Sequence, residues 1–189
     1  MKRRSFIKGT ALGGVGISSF SNVQRASKKT NINSEFYVTI DEQKVSFYSN
    51  IIKEKLKIVH IADTHLFMDD DRGIPFQEYS NRMAKAYNQT THFKNRKKTN
   101  PNECFENTLT YAKEINADLI ALVGDIFSFP SELAIEWVLS KLDETGIPYV
   151  YVAGNHDWHY EGMSGNLDLL RNTWINKRLL PLYQGNNPL

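Results

Sequence analysis

Three short polar motifs contain the residue types that bind metal ions and transfer protons. They are DTH at residues 63–65, GD at 124–125 and GNHD at 154–157. Carboxylate, imidazole and amide groups together suit divalent ions such as Mn, Fe or Zn. Without cations, the same groups would crowd like charges into a partly desolvated cleft, which is unfavourable. The motifs therefore predict a pair of divalent metal ions, provided that the fold brings the three segments together.

The spacing of these residues suggests which ion each side chain holds. Asp63 and His65 are two positions apart, so both can reach one ion as the chain leaves a strand. Asp125 could bridge both ions, and Asn155 offers a neutral oxygen to the second ion. Mn, Fe and Zn all accept this mixture of ligands, so the identity of the metal stays open.

Two metal ions about 3.5–4 Å apart form a site for in-line displacement at phosphorus. In this reaction a hydroxide that bridges the ions attacks, and the leaving oxygen then needs a proton. His156 can supply that proton, and Asp157 is available to keep the imidazole charged and aligned. The residues thus predict metal-dependent hydrolysis of a phosphate mono- or diester.

Each polar motif follows a short apolar run of the kind that forms a strand covered on both faces. The runs are LKIVHIAD at 56–63, ADLIALVGD at 117–125 and PYVYVAGNH at 148–156. Helical patterns separate them, so the order predicts βαβ units, a parallel sheet and an α/β fold. Parallel strands end at one edge of a sheet, where the three motifs would meet. DTH or GD alone is typical of a polar turn, GNHD after a strand is moderately specific, and all three in this order are a strong signal.

Further elements complete the predicted domain, which extends over residues 35–189. Alternating apolar residues on either side of a polar turn predict a hairpin over 35–48. Residues 65–75 read as a loop. Helices are predicted within 75–90, from the NPNE start at 100–103, within 130–146 and over 166–180.

The N-terminus has the layout of an export signal. Residues 1–26 hold a charged start, a modest apolar stretch of about 12 residues and a polar region, which together read as a signal peptide. The stretch is shorter than the ~20 residues that span a bilayer, so no stable membrane span is expected. RRSFIK at residues 3–8 resembles a twin-arginine signal. We therefore expect export by the twin-arginine machinery to the periplasm or beyond, with residues 27–34 as a linker. The alternative is a basic arm on a cytoplasmic protein.

Composition argues against a nucleic-acid-binding protein and against a disulfide-stabilised scaffold. The net charge is +2, but without residues 1–26 the chain holds 18 basic and 21 acidic residues, so no nucleic-acid-binding surface is expected. The basic run KNRKK at 94–98 is either a solvated loop or a patch that attracts anionic substrate. The one cysteine, Cys104, cannot form an intramolecular disulfide.

The series DTH, GD and GNHD resembles the calcineurin-like metallophosphoesterases, over roughly residues 56–160. The resemblance implies a two-sheet αββα sandwich with mostly parallel strands, helices and a dinuclear metal centre. It also implies that the first Asp and His bind one metal, that the second Asp bridges, and that the Asn binds the other metal. The residues that inherit these roles are Asp63, His65, Asp125 and Asn155 for the metals, and His156 with Asp157 for proton transfer.

The chain departs from that family downstream of the third motif. The family continues with a histidine, a Gly-His and a Gly-His-x-His motif that supply further metal ligands, whereas His159 is the last histidine here. We therefore expect residues 35–189 to form the front half of the sandwich, truncated at its C-terminus. The alternative to an active hydrolase is an inactive exported domain that lacks the downstream histidine ligands. A nucleotide-binding parallel-sheet protein is disfavoured because ADTHLF, after the first strand, has no glycine-rich phosphate loop.

Overall fold

The computed structural model describes residues 36–41, 44–50, 54–87, 90–92 and 95–185. The predicted signal peptide over 1–26 and the predicted linker over 27–34 lie outside the described residues. The chain divides into two units, with the boundary between Lys55 and Leu56.

The first unit contains the predicted hairpin. Strands β1 (Phe36–Asp41) and β2 (Lys44–Ser49) pair antiparallel, with Val38 opposite Phe47. The rings of Tyr37 and Tyr48, which also lie opposite each other, stack with centroids 4.4 Å apart. Cross-strand aromatic pairs of this kind stabilise a two-stranded ribbon, which is marginal by itself in water.

A three-stranded parallel sheet forms the centre of the second unit. Its strands follow the three apolar runs, and the order across the sheet is β3 (Ile58–Ile61), β6 (Leu119–Val123) and β7 (Tyr149–Val152). The predicted α/β fold with adjacent parallel strands is therefore confirmed. The strands of this unit are β3 (Ile58–Ile61), β4 (Thr90–Thr91), β5 (Lys98–Thr99), β6 (Leu119–Val123) and β7 (Tyr149–Val152).

Five α-helices connect or follow these strands in the described part of the chain. They are α1 (Gln77–Tyr87), α2 (Pro101–Glu114), α3 (Glu132–Asp143), α4 (Leu167–Thr173) and α5 (Leu180–Gln184). A 3-10 helix (Asp71–Phe76) occupies part of the predicted loop, and a π-helical turn (Trp174–Arg178) joins α4 to α5. No helix among the described residues has the length and apolar content needed to cross a membrane.

Side-chain caps fix where the two connecting helices begin. The Asn100 side chain accepts a hydrogen bond from the Glu103 N–H (2.9 Å), and Pro101 occupies the first turn, as the NPNE motif predicts. The Ser131 hydroxyl accepts from the Ala134 N–H (3.3 Å) at the start of α3. Each cap satisfies a backbone donor that the first turn leaves without a partner.

The hydrophobic core lies between the sheet and these helices. Ile120 and Leu122 on the central strand are almost completely buried. Phe105 from α2 and Val138 from α3 belong to the same buried cluster. This packing fixes the carboxyl ends of the three strands relative to one another, and the polar motifs follow directly from those ends.

Candidate metal centre

The loops that follow β3 and β6 run side by side. Asp63 N–H donates to the Gly124 carbonyl (3.1 Å), and His65 N–H donates to the Asp125 carbonyl (3.2 Å). These hydrogen bonds extend the parallel pairing of the two strands past their ends. The backbone itself therefore brings the first two motifs together, whatever their side chains bind.

The side chains of Asp63, His65 and Asp125 converge. Each offers one potential ligand atom, and these atoms all lie within 4.8 Å of one another. All three residues have positive φ angles, of 53°, 48° and 49°. Such angles are unfavourable for residues other than glycine, and strained backbone of this kind clusters at functional sites. The fold thus holds two carboxylates and an imidazole together at a conformational cost.

Two glycines let the end of β7 approach the Asp125 loop. A Cβ atom at Gly154 would collide with the Asp125 carboxylate and backbone, and one at Gly124 would lie 3.2 Å from Gly154. His156 N–H then donates to Asp125 Oδ1 (3.0 Å). Asn155 is exposed, and in the sequence it lies between Gly154 and His156, the two neighbours of the Asp125 carboxylate. The third motif therefore joins the first two at one edge of the sheet.

The imidazole of His156 lies beside that of His65. The ring centroids are 4.9 Å apart and the rings are nearly perpendicular, at 86°. His156 Nδ1 is 3.1 Å from the Ser128 carbonyl oxygen. A carbonyl only accepts hydrogen bonds, so Nδ1 carries the proton in this contact. Nε2 is then the nitrogen with which His156 can exchange a proton.

Asp157 lies beneath the loops and is completely buried, at 0% exposure. Oδ1 accepts from Phe127 N–H (2.8 Å), and Oδ2 accepts from Tyr151 O–H (3.0 Å) and Gly154 N–H (2.8 Å). Burial raises the pKa of the Asp157 carboxyl to about 6, and these three hydrogen bonds oppose the rise. Burial also raises the pKa of the Tyr151 hydroxyl, so it remains a donor. Asp157 thus ties the loop after β6 to the end of β7.

The electrostatics of His65 agree with a role as a metal ligand. Burial lowers the pKa of His65 and the nearby His156 lowers it further, while the carboxylates of Asp125 and Asp63 partly compensate. Neutral imidazole is the form that binds metal ions. Two carboxylates and one neutral imidazole are a donor set that Mn, Fe and Zn accept, so these residues fit a divalent ion.

The structure places the predicted site residues in three different settings, which are a cluster, positions beside that cluster and a buried position that faces inward. It gathers Asp63, His65 and Asp125 into one cluster, and it sets Asn155 and His156 next to it. The expected contact of the Asp157 carboxylate with the His156 imidazole is not supported. The carboxylate faces inward to two backbone N–H groups and a tyrosine, and the Ser128 carbonyl is the partner of His156 Nδ1.

Sequence reasoning missed the groups that position these side chains. The Ser128 carbonyl orients His156, and the Ser128 hydroxyl donates to the His65 carbonyl (2.7 Å). Both contacts involve backbone oxygens, which leave no trace in the identity or spacing of residues. Gly124 and Gly154 did carry a signal, since each precedes an acidic or amide residue directly after a strand, and such glycines often permit close backbone approach.

Comparison with known proteins agrees with this site. A profile of the calcineurin-like phosphoesterase family matches residues 56–187, which is more than half of the chain. A probable cyclic nucleotide phosphodiesterase from Moraxella catarrhalis is 44% identical over 50 residues, which are 26% of this chain and 18% of that protein. A protein of the same description from Psychrobacter arcticus is 39% identical over 46 residues, 24% of this chain and 16% of that protein. The chain thus matches less than a fifth of the length of either relative. The family match over the second unit, together with the cluster at the ends of its strands, assigns this chain to the calcineurin-like phosphoesterase family.

Proposed function

We propose that this protein is a metal-dependent phosphoesterase that hydrolyses phosphate mono- or diesters. The observation that carries the proposal is the convergence of ligand atoms from Asp63, His65 and Asp125 within 4.8 Å. Both relatives are described as probable cyclic nucleotide phosphodiesterases, which favours a diester substrate.

Asp63 and His65 are proposed to hold one divalent ion, with Asp125 between that ion and a second one held by Asn155. Asn155 follows Gly154, whose backbone lies against Asp125. The Asn155 amide is therefore near enough to Asp125 to hold the second ion that this carboxylate would also bind. Divalent ions in such a site neutralise charge on the phosphoryl group and activate a water molecule as the nucleophile. The residues themselves fix the positions of the ligands before substrate arrives, through the backbone bonds between the loops.

His156 is proposed to donate the proton that the leaving oxygen needs. The Ser128 carbonyl holds Nδ1–H and so orients the ring and reserves Nε2 for the transfer. His156→Ala should therefore slow turnover more for esters with poor leaving groups than for aryl esters, which leave without help. Measured kcat values for a series of aryl and alkyl phosphodiesters test this role. A uniform loss across the series would contradict proton donation and leave only phosphate binding.

The main test measures metal binding and hydrolysis together. Titration with Mn²⁺ or Zn²⁺ should give two ions per chain, and bis(p-nitrophenyl) phosphate should be hydrolysed only in their presence. Asp125→Ala should lower kcat/KM by at least about a hundred-fold, because losing a group that merely orients a metal ligand already costs about 10–100-fold. Asp168→Asn, on the exposed first turn of α4, is the matched control and should change neither property. Fewer than one ion per chain would favour the alternative of an inactive domain.

We also propose that residues 1–26 direct export by the twin-arginine machinery, with residues 27–34 as a linker before a phosphoesterase domain over 35–189. That route carries folded proteins, so metal would enter before export. Replacing Arg3 and Arg4 by lysine should retain the protein in the cytoplasmic fraction. Unchanged recovery from the periplasm would contradict the proposal.

A further inference from the structure

The short hairpin formed by β4 and β5 carries the end of the basic run KNRKK. Its cations Arg96, Lys97 and Lys98 are all exposed. None of the three forms an ion pair with an acidic side chain in the described part of the chain. Arg72, by contrast, pairs with the carboxylates of neighbouring acidic residues. The hairpin therefore presents positive charge that is available to an anionic ligand.

The pairing of the two strands decides which face of the hairpin each cation occupies. Thr90 pairs with Thr99, and His92 N–H donates to the Lys97 carbonyl (2.9 Å) nearer the turn. Opposite residues of an antiparallel pair share a face, and successive residues of a strand alternate between faces. Lys97 therefore lies on the face of Thr90 and Thr99, which are partly buried, and Lys98 lies on the opposite face.

The face that carries Lys97 is turned toward the candidate metal centre. Thr90 shares the wall of a cleft with Asp63, which is one of the clustered ligands. Thr99 Oγ1 lies 3.3 Å from Cys104 Sγ, so the same face packs against the first turn of α2. Lys97 is two residues from Thr99, or about 7 Å along the strand. Its long side chain can therefore reach a ligand that extends from the metal centre through this cleft.

The charges of the turn suit a phosphate group. A phosphate monoester carries about −1.5 to −2 charges at neutral pH, and Arg96 and Lys97 are adjacent cations that match it. Arg96 has a φ of 58°, a conformation that favours glycine or asparagine, so the turn holds this cation at a conformational cost. The reacting phosphate would lie at the ions held by Asp63 and its partners. An anion at Lys97 is therefore a different group of the same molecule.

We infer that Lys97, with Arg96 beside it, binds a second phosphate group of the substrate that is not itself hydrolysed. The inference rests on the proposed phosphoesterase function and adds a specificity site to it. The substrate class is then a phosphoester with a further phosphate at the other end of the molecule. Lys98, on the outer face of the hairpin, does not contact this group.

The first test compares two substrates that differ by one phosphate. The compound p-nitrophenyl 3-phosphopropyl phosphate carries the second phosphate, and p-nitrophenyl propyl phosphate lacks it. At low ionic strength, Lys97→Gln should lower kcat/KM for the first compound about three- to five-fold, the range of one exposed ion pair. The value for the second compound should change by less than about two-fold, since it has no group for Lys97 to bind. Salt at about 1 M should abolish the difference.

Lys98→Gln is the matched control, because it removes the same charge from the opposite face. It should change kcat/KM for either compound by less than about two-fold, since exposed charges at a distance are screened. Lys97→Arg keeps the charge and should keep the preference for the second phosphate. The inference would be overturned by equal losses in Lys97→Gln and Lys98→Gln, by equal losses for both compounds, or by no loss in Lys97→Gln.

A binding measurement in EDTA separates this inference from the proposed function. Inorganic phosphate should shift the backbone amide NMR signals of Arg96 and Lys97, and sodium chloride at the same ionic strength should not. Lys97→Gln should weaken the shift at Arg96, and Lys98→Gln should preserve it. Phosphate binding without hydrolysis of either diester would support the anion site and contradict the proposed function. Hydrolysis of both diesters without any phosphate-dependent shift at the hairpin would support the function and overturn the inference.

Discussion

Two aspartates follow neighbouring parallel strands, Asp125 after β6 and Asp157 after β7, and their surroundings are opposite. Asp125 is partly exposed, has a positive φ angle and accepts a backbone hydrogen bond from His156 at Oδ1. Asp157 is completely buried and accepts from two backbone N–H groups and Tyr151. The Asp125 carboxylate is therefore accessible to a cation, whereas the Asp157 carboxylate is fully occupied by hydrogen bonds within the protein. The residue type at a strand end therefore does not distinguish a candidate metal ligand from a structural carboxylate, whereas the hydrogen-bond donors around the carboxylate do.

The largest expected difference between the two aspartates is in stability. Asp157→Ala leaves three buried donors without their acceptor, so it should lower the free energy of unfolding by about 3–5 kcal/mol. Asp125→Ala should cost about 1 kcal/mol or less in metal-free protein, because water can replace its acceptor at a partly exposed site. Urea denaturation in EDTA measures both. Asp157→Asn keeps one acceptor oxygen and should fall between them. Equal losses for the two alanine variants would remove the distinction between ligand and scaffold.

The sequence predicted the parts of the site that depend on strand order. Three apolar runs separated by helical patterns were enough to expect parallel neighbours, and hence to bring Asp63 and Asp125 to one edge. The hairpin, α1, and the capped start of α2 at Asn100 followed from local patterns. These features depend on short-range chemistry that the sequence displays directly.

The sequence could not predict contacts that depend on the path of a loop. GNHD suggested that Asp157 orients His156, but neighbours in a turn point in different directions. Asp157 turns inward because the fold supplies three donors there, and His156 meets the Ser128 carbonyl instead. The 3-10 helix Asp71–Phe76 was missed for a similar reason. Its start depends on Asp70 accepting from Arg72 N–H (3.0 Å), and its sequence contains both Gly and Pro, which are typical of loops.

Gly154 lies between the two aspartates and should connect their effects. Its N–H donates to Asp157, and its Cα lies against Asp125, where no Cβ fits. Gly154→Ala should lower the free energy of unfolding by about 1–3 kcal/mol and also weaken Mn²⁺ binding, because Asp125 must move. Gly146→Ala is the matched control. Gly146 has φ +65°, but a Cβ there would have no other heavy atom within 4 Å, so the substitution should cost about 1–2 kcal/mol in stability alone. Unchanged metal affinity in Gly154→Ala would contradict the close approach of the two loops.

The smallest expected effect isolates one donor of the buried carboxylate. Tyr151→Phe removes the hydroxyl that donates to Asp157 Oδ2 and leaves both backbone donors in place. It should lower the free energy of unfolding by about 1–2 kcal/mol, since hydrogen bonds to charged groups exceed neutral ones. Tyr149→Phe, on the same face of β7, controls for the loss of a buried tyrosine hydroxyl. If Tyr149→Phe lowers the free energy of unfolding as much as Tyr151→Phe or more, Tyr151 has no special role.

Combining Tyr151→Phe with Asp157→Asn in a double-mutant cycle should give a coupling of at least about 0.5 kcal/mol. Because the hydroxyl donates to Asp157, metal binding at the candidate ligand Asp125 should be unaffected. This result would separate the structural carboxylate after β7 from the candidate ligand after β6.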